Sequence, residues 1–216
     1  MKLTYQHIFN SLKGVSLPSL AGFVLPIPNT EYGLFPIHCN AASIDDRIIT
    51  MLTVARNENF DSFLTHFNAT AERTSSWLEN TVAKDPTRIL FTIKHLFTGE
   101  LYGYMGLAYG NKEGTYIEAD AIVRYSEKAI AGLMKTAFTT LIEWVRSDVG
   151  VPNIWIRVLA DNPAVHFYQK CGFRRVECKD LFMVLDDCRE LVALQENSES
   201  GRLPKSNRQL AYMTLA

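Results

Sequence analysis

Residues 154–173 read IWIRVLADNPAVHFYQKCGF. The opening Asn153–Leu159 is apolar and rich in β-branched residues, which predicts a buried strand. Asn162 followed by Pro163 suits a helix start, because the amide side chain can cap orphan N–H groups and proline has no N–H to lose there. Gly172 sits just past the short helix over 162–171 and supplies a stop. Phe173–Leu185 then predicts a second strand.

Working backwards, Ser126 to Arg146 carries Ile130, Leu133, Met134, Ala137, Phe138, Leu141, Ile142 and Val145 at spacings of three and four, which predicts a long amphipathic helix. Before it, 88–94 and 101–109 predict two strands joined by the turn Phe97-Thr98-Gly99-Glu100, and 115–123 extends them to a three-strand meander. Residues 60–83 have helical spacing, with Thr70 or Thr74 as a cap. The β-branched run 47–54 predicts a strand, with a loop from about Arg56. Residues 1–45 read as an irregular amino-terminal extension around one strand. At the other end, 195–208 reads as a polar loop before a last strand, 210–215. A mixed α/β domain follows, one domain over residues 1–216 with no internal repeat.

Composition narrows the function classes. The chain has 216 residues and a formal net charge of −1, from 22 Lys+Arg against 23 Asp+Glu, so it lacks the basic field that nucleic-acid binding uses. Hydrophobic residues make up 47%, which predicts a packed core. Cys39, Cys171, Cys178 and Cys188 form no CxxC pair and no metal-spaced cluster, and read as reduced thiols. No apolar run approaches the roughly 20 residues a bilayer span takes. These features point to a cytoplasmic protein with no nucleic-acid or membrane partner.

The 154–173 stretch resembles the signature of the GNAT superfamily of acyl-CoA-dependent N-acyltransferases. Asn162, Ala164, Phe167, Tyr168, Lys170, Gly172 and Phe173 stand in that family's order and spacing after a strand. The resemblance extends over about residues 47–185. It implies a mostly antiparallel mixed sheet with one splayed parallel strand pair, formed by 115–123 and 153–159, and flanked by helices. It also implies acetyl-CoA or another acyl-CoA as co-substrate. Pantetheine amides are implied to pair with strand backbone at Ile122, Val123 and Arg124, as an added strand would. The pyrophosphate is implied to meet the start of the long helix, where orphan amides and the helix dipole favour an anion. Here the sequence departs from the family's Gln/Arg-x-x-Gly-x-Gly/Ala loop. It reads Ser126-Glu127-Lys128-Ala129-Ile130-Ala131-Gly132, with Lys128 or Arg124 as sources of positive charge, or else simply a helix start capped by Ser126.

By the same resemblance Tyr168 is the general acid for the departing thiolate, and Asn162 binds pantetheine or an ordered water beside its capping role. Glu118 and Asp120, two apart on one strand and so on one face, are the candidate bases. His38, His66 and His166 lack a motif. No nucleophilic triad is present, so direct transfer in a ternary complex, with no metal ligands called for, is expected. The acceptor is expected to be a small-molecule amine, with a nucleotide-linked amino sugar favoured through Arg56, Asn57, Arg73, Phe60 and Trp77. A protein or peptide amine is the alternative, as is a degenerate binding module without catalysis. The terminal strand suggests either a lid or exchange between subunits of a homodimer.

Overall fold

The computed structural model describes residues 4–16, 20, 22–39, 44–125, 130–186, 191–196 and 203–215. The chain forms two compact units, Met1–Ala55 with Thr70–Ile154, and Arg56–Ala69 with Trp155–Ala216.

The first unit begins with α1 (Tyr5–Leu12), capped by Thr4, and the strands β1 (Leu25–Pro26) and β2 (Tyr32–Pro36). The amino-terminal segment expected to be irregular therefore contributes a helix and two strands. Tyr5, Phe9 and Leu12 recur at helical spacing and are buried. Next comes α2 (Asp46–Glu58), which corrects the strand expected over 47–54 and the loop expected from Arg56. Two local causes favour a helix over the β-branched composition. The Asp45 carboxylate accepts from the Arg47 N–H at 2.9 Å, and its carbonyl accepts from the Ile48 and Ile49 N–H groups. Only a helical period brings Met51, Leu52 and Ala55 to one buried face.

Thr70 caps α3 (Ala71–Trp77), which continues as a π-helical turn through Leu78–Val82. The meander follows as β4 (Ile89–His95), β5 (Leu101–Ala108) and β6 (Tyr116–Arg124), close to expectation. With β1 and β2 these strands run in the order β1-β2-β4-β5-β6, every neighbour antiparallel. Seven consecutive residues of β5, Tyr102 to Ala108, are buried, so both its faces are covered. The long helix, α4 (Leu133–Trp144), starts later than expected, after Gly132 at φ +85°, and ends in a π turn over Val145–Val149. Its Trp144 meets Phe9, Phe23 and Phe91 at centroid distances of 6.3, 5.7 and 5.6 Å, the aromatic centre of this unit.

The second unit holds a 3-10 turn (Phe60–Ser62), β3 (Thr65–His66), β7 (Asn153–Leu159) from Trp155 on, α5 (Ala164–Lys170), β8 (Phe173–Asp186), β9 (Leu191–Gln195) and β10 (Lys205–Leu215). Strands run β7-β10-β8-β9-β3, again antiparallel. The helix expected from residue 60 gives way because β3 pairs with β9 and the Leu64 carbonyl accepts from Leu194 N–H at 2.7 Å. Likewise the start of β10, within the expected polar loop, is strand despite polar composition. Lys205 and Gln209 on β10 meet Asp180 on β8, and Arg208 meets Asp161, so partners on neighbouring segments satisfy the polar side chains. Leu159, Leu181, Leu194 and Leu210 form the core beneath. Among the described residues no helix is long and apolar enough to cross a membrane.

Candidate active site

In the first unit the site residues lie along β6. Ile117 and Ala119 are buried, while Glu118 and Asp120 share the opposite, half-buried face, as their spacing predicts. Asp120 is not presented alone. Its Oδ2 accepts from Arg88 Nη1 at 2.9 Å, and Arg88, at the foot of β4, is 7% exposed.

Immediately after Asp120 the strand bulges. Asp120 pairs with Gly106 and Val123 with Tyr104, so Ala121 and Ile122 together face the single residue Met105. Ala121 adopts φ +53°, a conformation that costs an L-residue roughly 1–2 kcal/mol. Val123 is buried, and Arg124 is exposed. Glycine at 103 is required by this geometry, since a Cβ there would lie 2.5 Å from the Val123 carbonyl oxygen.

The start of α4 supplies the second feature. Gly132 is its N-cap, with no atom of the described residues within 4 Å of where a Cβ would stand, and the first turn carries no acidic residue. Ile130, Ala131 and Gly132 are all exposed. Lys128 and Ala129, with Ser126 and Glu127, lie outside the described residues. Strand backbone set out by the bulge from Ile122 onward, and a first turn of α4 without acidic residues, are what an amide-bearing, phosphorylated ligand calls for, so the described residues fit an acyl-CoA.

The second unit carries the signature. Asn162 Oδ1 accepts from Ala164 N–H at 2.8 Å, and its carbonyl accepts from Val165 N–H, so it does cap α5. Gly172 at φ +93° lets the chain leave the helix and enter β8. Tyr168 is 7% exposed, with the rings of Phe167 and Phe173 edge-on at 5.3 and 6.5 Å. Packing thus fixes the phenol on a short rigid element.

Two residues expected on the acceptor side have internal employment. Arg56 stacks its guanidinium 3.7 Å from the Phe63 ring and 4.7 Å from Phe67, and it donates to Thr65. Asn57 donates to the Ala69 carbonyl at 3.0 Å and accepts from its N–H at 2.8 Å, stapling the loop to the end of α2. Phe60 lies against His66, whose Nε2 is 3.0 Å from the Phe63 carbonyl. His166 is exposed beside Gln169. The sequence reading missed Arg88, although an arginine opening an otherwise apolar strand is a signal that it needs a buried partner.

A family model described as "Acetyltransferase (GNAT) domain" matches residues 42–174. Among solved structures, a point mutant of the spermidine N-acetyltransferase SpeG from Vibrio cholerae superposes with a TM-score of 0.61 at 15% identity, covering 87% of this chain and 94% of that one. The ribosomal-protein alpha-N-acetyltransferase RimL gives 0.63 at 10% identity, covering 89% and 93%. A GCN5-related N-acetyltransferase from Brucella melitensis gives 0.61 at 18% identity, covering 91% and 83%. A search of curated proteins returned no match. At such identities these structures speak to the fold alone. That fold is α/β, with a mixed, mostly antiparallel sheet containing one parallel strand pair and flanked by helices. With the family model spanning more than half of the sequence, the chain belongs to the GNAT acetyltransferase family, as an acyl-CoA-dependent N-acyltransferase whose co-substrate is acetyl-CoA.

Proposed function

We propose that the whole chain acts as one acyltransferase domain that moves an acetyl group from acetyl-CoA directly to a primary amine in a ternary complex. The amine nitrogen attacks the thioester carbonyl carbon, the C–N bond forms, and the C–S bond breaks. Sulfur departs as a thiolate and takes the Tyr168 phenolic proton. The proton lost by the amine goes to Glu118, directly or through a water, and returns through solvent to the phenolate. Reference pKa values of ~10 for a phenol and ~8.5 for a thiol lie close enough that the donor needs no large shift. Glu118 takes the base role on the face of β6 it shares with Asp120, whose carboxylate accepts from Arg88. Ile122–Arg124 receive the pantetheine amides, Asn162 assists there, and Lys128 with the backbone of Ala129, Ile130, Ala131 and Gly132 receives the pyrophosphate.

The acceptor we place first is a nucleotide-linked amino sugar, the class suggested by the sequence pattern of the acceptor-side segments. Arg56 and Asn57, being occupied within their own unit, carry none of that assignment, which rests on Arg73, Phe60 and Trp77. The neighbours named for spermidine and for a ribosomal protein put polyamines and peptide amines in the same acceptor panel. The compartment we assign is the cytoplasm, and for the terminal strand a lid and an exchange between subunits of a homodimer stand as the two readings.

The observation that carries the catalytic reading, against a fold kept only for binding, is Tyr168, buried and braced on α5 within the signature. The test is transfer from acetyl-CoA across the acceptor panel, with calorimetry of acetyl-CoA alone. Tyr168→Phe should bind acetyl-CoA within about twofold of wild type and lose a factor of roughly 10²–10⁴ in kcat, the usual worth of a positioned acid. Binding without transfer to any amine, unaffected by Tyr168→Phe, would make the chain a binding module. No binding at millimolar acetyl-CoA would remove the donor-site assignments altogether.

A further inference from the structure

We propose that Arg88 and Asp120 form a clamp that holds the β6 bulge at Ala121 and so presets the backbone of Ile122–Arg124 for the acyl-CoA amides; the purpose of the clamp rests on the donor-site reading above.

A left-handed alanine inside a strand persists only where its surroundings over-determine it. Ala121 is such a residue, at φ +53°, and it is flanked by two fixed points. On its carboxyl side, Val123 is buried against Gly103, whose missing Cβ allows the two strands to meet. On its amino side stands Asp120, held by Arg88 Nη1 at 2.9 Å. The arginine is itself immobilised. It is 7% exposed, its backbone N–H donates to the Asp85 carbonyl at 3.2 Å, and the Tyr109 ring lies 4.9 Å from its guanidinium carbon. Asp85 Oδ2 is 3.7 Å from Arg88 Nε, an ion-pair contact that leaves Nε without a hydrogen bond among the described residues. Asp120 thus accepts at 2.9 Å from a buried guanidinium, a short, charge-assisted tether to the residue next to the bulge. With both ends pinned, the extra residue has to be taken up at Ala121 and Ile122. This assigns Asp120 to positioning rather than proton transfer.

Glycine makes the test specific, because it occupies the left-handed region without a clamp. Acetyl-CoA affinity is measured by calorimetry, and folding by thermal unfolding, for wild type, Asp120→Ala, Ala121→Gly and the double variant. Asp120→Ala is expected to weaken acetyl-CoA binding about tenfold, of the order of the left-handed penalty it exposes. Ala121→Gly alone should change affinity less than about twofold, and adding it to Asp120→Ala should recover most of the lost affinity. Arg88→Gln, which keeps a donor but not the charge, should fall between wild type and Asp120→Ala. If Asp120→Ala lowers the unfolding temperature while affinity stays at the wild-type value, the pair is only structural and the clamp is overturned. Lost affinity that glycine at 121 does not recover overturns it as well. A wild-type chain that does not bind acetyl-CoA overturns the donor-site reading first, and with it the purpose assigned to the clamp.

Discussion

The ammonium of Lys13 has no exposure to solvent and is received by three main-chain carbonyls, Asp85 at 2.7 Å, Val82 at 2.8 Å and Ala83 at 3.4 Å. Burial pulls it from the ordinary 10.5 down to about 8. Between those two values the unfolded chain binds more protons than the folded one, so this lysine's contribution to stability rises with pH across that window. A full shift of this size corresponds to roughly 3 kcal/mol between pH 8 and pH 10.5. Burial pushes the Cys39 thiol up to about 11, which works in the opposite direction above its ordinary value of 9.0. Each of the two groups acts on the other, so the difference between wild type and Lys13→Met reports the lysine together with its pull on Cys39. Urea unfolding from pH 7.5 to pH 10 should show wild type gaining stability relative to Lys13→Met as pH rises. Parallel curves would mean that the ammonium is solvated in a way its burial denies.

At the scale of elements, α5 separates two jobs that one side chain can hold. Asn162 caps the helix through its oxygen, which accepts from Ala164 N–H. A ligand role would draw on its NH₂ group. Asn162→Asp keeps the cap and removes those donors, whereas Asn162→Ala removes both. Thermal unfolding should place Asn162→Asp near wild type and Asn162→Ala about 1 kcal/mol lower. Acetyl-CoA titration should show both weakened if the amide meets the ligand; an unchanged Kd for Asn162→Asp would confine the residue to capping. Elements of this kind are legible in sequence because the cap, the helix and the stop are contiguous, and β7, α5 and the start of β8 form where the residues predict. By contrast, α2 misleads because Ile48, Ile49, Thr50, Thr53 and Val54 favour strand locally. The Asp45 cap is local, but the burial of Met51, Leu52 and Ala55 depends on what the segment packs against. The same applies to β3, which exists as a strand because it pairs with β9, itself paired with β8. Arg88 and Asp120 stand 32 residues apart, and only the pairing of β4, β5 and β6 brings them together, so this part of the site is invisible to a reading by local spacing.

For the whole molecule, the amino-terminal segment shows how much of the structure a family motif leaves unread. The family model begins at residue 42, yet the aromatic centre of the first unit is built partly from residues before it. Phe9 is fully buried and stacks on Trp144 at 6.3 Å, and Phe23 meets the same ring at 5.7 Å. Tyr5 donates to the Asn111 carbonyl, and Lys13 holds the end of the π turn after α3. The described residues before 40 thus supply part of the core, with β2 pairing directly on β4, and are not an appendage to a self-sufficient acyltransferase. Removing them would leave Trp144 and Phe91 facing solvent on that side and three carbonyls without their cation. A chain starting at residue 42 should therefore be insoluble or lack a cooperative thermal transition. Phe9→Ala in the full chain should cost about 3–5 kcal/mol by chemical unfolding, the usual loss for a buried aromatic. A soluble truncated chain that melts cooperatively and still binds acetyl-CoA would show that the first forty residues cover a core already complete without them.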